Sequence, residues 1–113
     1  MKLVHSSQVE PQDVAEEGAS DVAVRWLISR PEGAPNFAMR LFEVRPGGYT
    51  PLHEHSWEHE VYIIEGEAEV ISKSGPQGLA TGDAVLVLPG ETHQFRNAGT
   101  SPARFLCMIP LPE

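Results

Sequence analysis

From Asp21 onward the chain alternates short, β-rich apolar runs with clusters of turn residues. Val22 to Ile28 is the first run, closed by Arg30-Pro31-Glu32-Gly33. Phe37 to Val44 is the second, closed by Pro46-Gly47-Gly48. Further runs cover Glu60 to Ile64, Glu67 to Ser72, Ala84 to Leu88, His93 to Arg96 and Ala103 to Ile109. Gly66, Ser74-Gly75-Pro76, Gly82, Pro89-Gly90 and Asn97-Ala98-Gly99 punctuate them. Strands at this spacing predict an all-β sandwich, jelly roll or barrel. No segment carries the apolar period of an amphipathic helix.

Residues 1–20 differ from the rest. They are polar, and their second half is acidic through Glu10, Asp13, Glu16 and Glu17. They read as a short strand and loop, expected to pack on a partner subunit, ahead of a barrel domain over residues 21–113. The run Phe37 to Val44 is apolar on both faces, with Phe37, Met39 and Leu41 on one side and Phe42 and Val44 on the other. A sheet with one wet face would alternate. The outer face is therefore expected to be covered, by the second subunit of a homodimer or by the chain's own N-terminal segment.

Composition narrows the classes. At 113 residues and 41% hydrophobic, the chain suits one domain with a real core. Ten glycines and ten prolines fit a turn-rich β protein. A formal charge of −8 leaves no basic stripe for nucleic acid or an anionic membrane. One cysteine, Cys107, permits no intrachain disulfide. The start Met1-Lys2-Leu3-Val4-His5-Ser6 lacks the apolar core of a signal peptide. No stretch approaches the ~18–20 apolar residues of a membrane span. A cytoplasmic location is expected.

Four of the five histidines fall into two places. His53, His55 and His59 lie within seven residues and share strand parity, so they would point the same way. His93 opens another strand-like run some forty residues on. Imidazole is the commonest protein ligand for zinc, copper, iron and nickel. Four neutral imidazoles on one face would converge on one divalent ion. A single histidine would more often be an ordinary surface or core residue, and His5, which lies apart, is given no role.

The spacing around these histidines resembles the two motifs of the cupin family. The first runs Gly47, His53, His55, His59, Gly66, and the second Gly82, Leu88, Gly90, His93, Asn97. Leu88 stands where the second motif has proline, with Pro89 one place later. His59 stands where many cupins have glutamate. Glu60 is the rival ligand, but it spoils the spacing to Gly66 and has the opposite parity. The flanking runs Ala34 to Phe42 and Phe105 to Pro110 further resemble a subgroup of small, single-domain four-histidine cupins. The resemblance implies a jelly-roll β-barrel with the metal inside.

A four-histidine site would leave the ion its full 2+ charge. An octahedral ion would keep two open positions, whereas structural sites are normally closed. Manganese, iron, copper, nickel and zinc all remain candidates. Parity supplies the pocket walls. If Arg104 faces out, then Phe105, Cys107 and Ile109 face in; Phe95 shares the parity of His93. Core packing would explain these residues equally well. Trp57 has inward parity but sits at a turn. Arg40, beside Phe42, is the candidate catalytic residue, able to bind a substrate oxyanion; a surface ion pair is the alternative. Glu58, Glu60 or a metal-bound hydroxide would supply a base. The leading expectation is a metal-dependent oxidoreductase of dioxygenase type, acting on a small oxygenated or aromatic molecule. A non-redox isomerase or lyase and a small-ligand binding or sensing module are the alternatives.

Overall fold

The computed structural model describes residues 1–111. Nine antiparallel strands form one curled sheet. They are β1 (Gln12–Asp13), β2 (Ser20–Ile28), β3 (Phe37–Tyr49), β4 (His59–Glu65), β5 (Glu67–Ser72), β6 (Gly75–Ala80), β7 (Ala84–Val87), β8 (Gln94–Arg96) and β9 (Ala103–Pro110). The order across the sheet is β6-β5-β8-β3-β9-β4-β7, with β2 also paired to β3 and β1 to β2. Two single-turn 3-10 helices, Ser6–Gln8 and Arg30–Glu32, are the only helical pieces among the described residues. No helix is long and apolar enough to cross a membrane.

Strand β3 serves three neighbours because it is long and bends. Phe37 to Val44 pair with β9, while Tyr49 at the far end pairs with Arg96 of β8. The bend falls at Pro46-Gly47-Gly48. A side chain on Gly48 would put Cβ 2.8 Å from the carbonyl oxygens of Ser20 and Asp21, so only glycine fits there. Asn97 fastens the same corner. It is 2% exposed, and its Nδ2 donates to the carbonyls of Val44 (2.9 Å) and Ser101 (2.8 Å). Its Oδ1 accepts from the Gly99 amide. The second motif's asparagine is thus a structural knot.

Most expected runs are strands within a residue or two, and Glu67–Ser72 matches at both ends. Three points need correction. β3 runs on through the glycines that were read as its end. β6 was not expected: its start was read as the turn Ser74-Gly75-Pro76 and the rest was given no element; it is an edge strand paired only to β5, where a proline and a bare glycine are tolerated. The N-terminal strand shrinks to the two residues of β1, which pair with the chain's own β2.

The inner face of the sheet gathers Val22, Val44, Val61, Ile63, Ala68, Leu79, Val87, Phe95, Ala103, Phe105 and Cys107 into one buried cluster. Phe42 stacks on Phe105 at 5.3 Å between ring centroids, and Phe95 leans on Phe105 at 5.2 Å. Burying each such ring contributes about 1.5–3 kcal/mol. The outer face is also apolar. Leu41 and Leu106 are cross-strand partners, as are Met39 and Met108, and Leu106 continues to Tyr62 of β4. Leu41 is buried there, in a hollow it shares with Pro11, Ala23 and Arg25. The chain's own N-terminal segment therefore covers part of this face. Tyr62 (43%) and Leu86 (53%) stay exposed.

Candidate metal centre

The segment 50–55 runs antiparallel to 90–95 and brings the two histidine groups together. Thr50 N–H donates to the Phe95 carbonyl (2.8 Å), and Thr50 Oγ1 accepts from the Phe95 amide (2.9 Å). Three residues on, His53 and His93 exchange both backbone hydrogen bonds, at 3.1 and 2.9 Å. The Gly90 amide then bonds the His55 carbonyl at 2.8 Å. His59 arrives on the first turn of β4, paired with Val87.

Side-chain nitrogens of His53, His55 and His93 all lie within 4.8 Å of one another. Opposite ligands on an ion with ~2.1 Å bonds stand about 4.2 Å apart, so this triad is near the spacing that a metal needs. His59 is outside that triangle, but its ring stacks on His55 at 4.1 Å and stands 5.4 Å from His93. Tautomers are fixed from behind. His93 Nδ1 donates to the Glu91 carbonyl (2.8 Å) and His55 Nδ1 to the Trp57 carbonyl (3.0 Å). A carbonyl can only accept, so each proton sits on Nδ1 and each Nε2 keeps a lone pair. His55 Nε2 is buried with no hydrogen-bond partner. A buried nitrogen lone pair left without a donor is what a metal ion would satisfy.

Burial favours the neutral form of His53, His59 and His93. It pushes the His59 pKa down to about 3, and the neighbouring His55, the Arg40 charge and the remaining two histidines push the same way. His53 and His93 are also lowered, first by burial. Glu16 opposes this at His53, and the Glu91 carbonyl opposes it at His93. Neutral imidazole is the form that binds metal.

Beside the histidines lies a cavity of about 70 Å³ lined by Arg40, Phe42, Phe95, Phe105 and Cys107 together with His53, His59 and His93. Arg40, Phe42, Phe95, Phe105 and Cys107 are thus where parity put them. Ile109 packs against the buried core cluster, as its inward parity implies, but it does not line the cavity and also borders an outer hollow with Phe37, Met39, Glu58, Glu60 and Met108. Glu58 and Glu60 also lie in that outer hollow, which removes both as internal bases and Glu60 as a rival ligand. Trp57 is 44% exposed and stacks flat on His55 at 4.7 Å, outside the cavity. Arg104 faces out, between Glu43 (3.7 Å) and Glu65 (3.6 Å).

The cavity adds residues that the sequence did not flag: Val14, Glu16, Thr50 and Pro51. Thr50 had no signal, since it lies three residues before His53 with the opposite strand parity. Glu16 had none, because nothing local ties the N-terminal segment to the barrel mouth. It is the only carboxylate of the lining, and it is exposed. The guanidinium of Arg40 lies 4.9 Å from the Phe42 ring centroid and 5.2 Å from that of Trp26. Its Nη2 donates to Cys107 Sγ at 3.1 Å. Its Nε is buried without a partner. Arg40 therefore has no carboxylate of its own, unlike Arg96, which pairs with Glu69.

The cupin-domain family model matches residues 40–109, from Arg40 through both histidine groups. The chain belongs to the cupin family. Among solved cupin structures it resembles the polyketide cyclase RemF of Streptomyces resistomycificus, with a TM-score of 0.93 and 38% identity over 97% of this chain and 79% of that one. It is also similar to a predicted oxalate decarboxylase of Thermotoga maritima, with a TM-score of 0.86 and 26% identity over 98% of this chain and all of the other (100%). A curated relative, the 1-methylthio-D-xylulose 5-phosphate methylsulfurylase of Rhodospirillum rubrum, is 34% identical over 71 residues, covering 63% of this chain and 46% of the relative. The cupin chain thus spans about half the length of that relative.

Proposed function

We propose that this cupin is a metal-dependent enzyme whose ion, held by His53, His55, His59 and His93, polarises an oxygen of a small anionic or enolisable substrate. One observation carries the reading: neutral imidazoles and an arginine without a carboxylate partner share one cavity. A divalent ion bound there supplies Lewis-acid catalysis or activates water. Arg40 holds the negative oxygen at the far end of the substrate, where its buried, unpartnered Nε–H and the absence of a carboxylate partner favour an anion. Phe42, Phe95 and Phe105 exclude water from the reacting end. At about 70 Å³ the cavity takes a small molecule or only the reactive end of a larger one.

The similarity to a polyketide cyclase supports non-oxidative chemistry. A dioxygenase-type reaction is the competing reading of the same open site. Acetylacetone, a small enolisable diketone, separates them. Protein loaded in turn with zinc, nickel, manganese, iron and copper is mixed with it, and loss of enol absorbance is followed with and without oxygen. Turnover by the zinc or nickel form without oxygen is expected. Turnover only by the iron, copper or manganese form, with oxygen consumed, would establish the dioxygenase instead. Saturable binding with no turnover would favour the binding module.

We further propose that a second copy of the chain covers the outer face of β3, β9, β4 and β7. Met39, Tyr62, Leu86, Leu106 and Met108 form its centre. Pro11 borders this face beside Leu41, and the arm before it leaves Met1 and Leu3 almost wholly exposed. A stable interface takes about 800 Å² from each partner. The exposed apolar side chains Tyr62 and Leu86, and the arm that starts at the edge of this face, would supply part of it. Sedimentation at micromolar concentration should give twice the chain mass; a monomer would refute the pairing.

A further inference from the structure

We infer that Cys107 is a positioning residue for His59: its sulfur, held by Arg40, sets the tautomer of the fourth histidine and so the affinity of the site for metal. The inference rests on the metal-site reading above. Three histidines have a partner behind the ring, and one partner is of a different kind. His55 and His93 donate from Nδ1 to backbone carbonyls, at 3.0 and 2.8 Å. His59 Nδ1 meets Cys107 Sγ instead, at 3.5 Å. A carbonyl fixes the tautomer outright, whereas a thiol can donate or accept. With S–H donating, the His59 proton would sit on Nε2 and block that nitrogen. With Sγ accepting, Nε2 is free for metal.

Arg40 restricts the choice. A guanidinium can only donate, and its Nη2 lies 3.1 Å from the same sulfur. That contact takes one sulfur lone pair and leaves the second for the His59 Nδ1 proton, the arrangement that the metal-site reading requires because it frees Nε2. Cys107 is 2% exposed, so no water competes for the sulfur. His55 Nε2, buried and unpaired beside the stacked His59 ring, marks where the ligand belongs. Cys107 therefore links the residue that would hold the substrate anion to a residue that would hold the metal. An anion drawing Arg40 away would loosen the His59 tautomer.

Two readouts test this, one of which needs no metal. The first is nitrogen NMR of the metal-free protein, which reports the tautomer of each imidazole. The second is zinc affinity by competition with a chromophoric chelator. In the wild type, His59 should carry its proton on Nδ1. Cys107→Ala should mix the two tautomers and weaken zinc binding by about 10- to 100-fold. Cys107→Ser, which keeps an acceptor in place, should restore both to near wild type. Wild-type tautomer and affinity in Cys107→Ala would overturn the inference, as would an alanine-like loss in Cys107→Ser. A wild type that binds no zinc, while the alanine variant still shifts the tautomer, would refute the metal reading and leave the Cys107 contact standing.

Discussion

The inner and outer faces of β3, β4 and β9 are built from alternate residues of the same strands, yet they differ in kind. Along β9 the inner residues Ala103, Phe105 and Cys107 are buried, and Phe105 and Cys107 line the cavity. Their neighbours Arg104, Leu106 and Met108 point the other way, and Leu106 and Met108 are apolar with no chemistry attached. On β4, His59 alternates with Glu60, and Val61 with Tyr62. Hydrophobicity alone does not tell such faces apart. What separates them is the kind of group each carries: the inner face gathers the histidines and Arg40, which has no carboxylate partner, whereas Arg104 outside sits between Glu43 and Glu65. A cluster of imidazoles beside an unpaired cation marks the working face; an apolar face bordered by paired charge offers only contact.

Neighbouring residues of opposite parity give the sharpest way to break this comparison. Phe105 stacks against two other rings and is 2% exposed. Phe105→Ala should cost about 3–5 kcal/mol of stability, read from the urea midpoint. His93→Ala should leave the fold intact by circular dichroism and reduce zinc affinity by about 100-fold or more, because it removes a ligand and its carbonyl-anchored ring together. Leu106→Glu should do the reverse, converting the dimer to monomer in sedimentation while zinc content is unchanged. Loss of zinc in Leu106→Glu, or loss of dimer in His93→Ala, would show that the faces are coupled.

The sequence disclosed the inner face better than the outer. The two spaced motifs placed His53, His55, His59 and His93 in one neighbourhood, although the strand assumed for 53–59 is absent: the chain bends at Ser56 and Trp57 and β4 begins only at His59, so the rings meet through loop geometry rather than through a strand's two-residue period. Strand parity placed Phe42, Phe95, Phe105, Cys107 and Arg40. At Ile109 it gave the direction, toward the buried core, while the cavity itself ends before that residue. The pattern missed β6, where an edge position tolerated residues that elsewhere end a strand. Glu16 reached the cavity mouth through tertiary placement of an irregular segment, which leaves no local pattern. The apolar outer face was legible as a second dry side. Cover by the chain's own N-terminal segment was one of the two expectations, and Pro11 beside Leu41 meets it in part; that the N-terminal strand would be only two residues long was not legible.

A smaller effect sharpens the same contrast through pH, and its sign is fixed by the inner face alone. In metal-free protein the His59 pKa is about 3, against 6.5 for an unperturbed histidine. Between those values the unfolded chain binds the proton and the folded chain does not, so stability rises with pH across this window. Above pH 6.5 His59 contributes no slope. Below it the loss from this one residue is at most about 1.4 kcal/mol per pH unit. His53 and His93 are lowered too and add in the same direction. The urea midpoint of protein kept in chelator should therefore fall between pH 6.5 and 5, and His59→Gln should flatten part of that fall. Zinc should move the fall to lower pH, because metal and proton compete for the same nitrogens. Leu106→Glu, which should split the proposed dimer, leaves the histidines as they are, so its midpoint should keep the wild-type pH slope. A slope that disappeared with the dimer would place the titrating groups at the outer face and undo the division between the two.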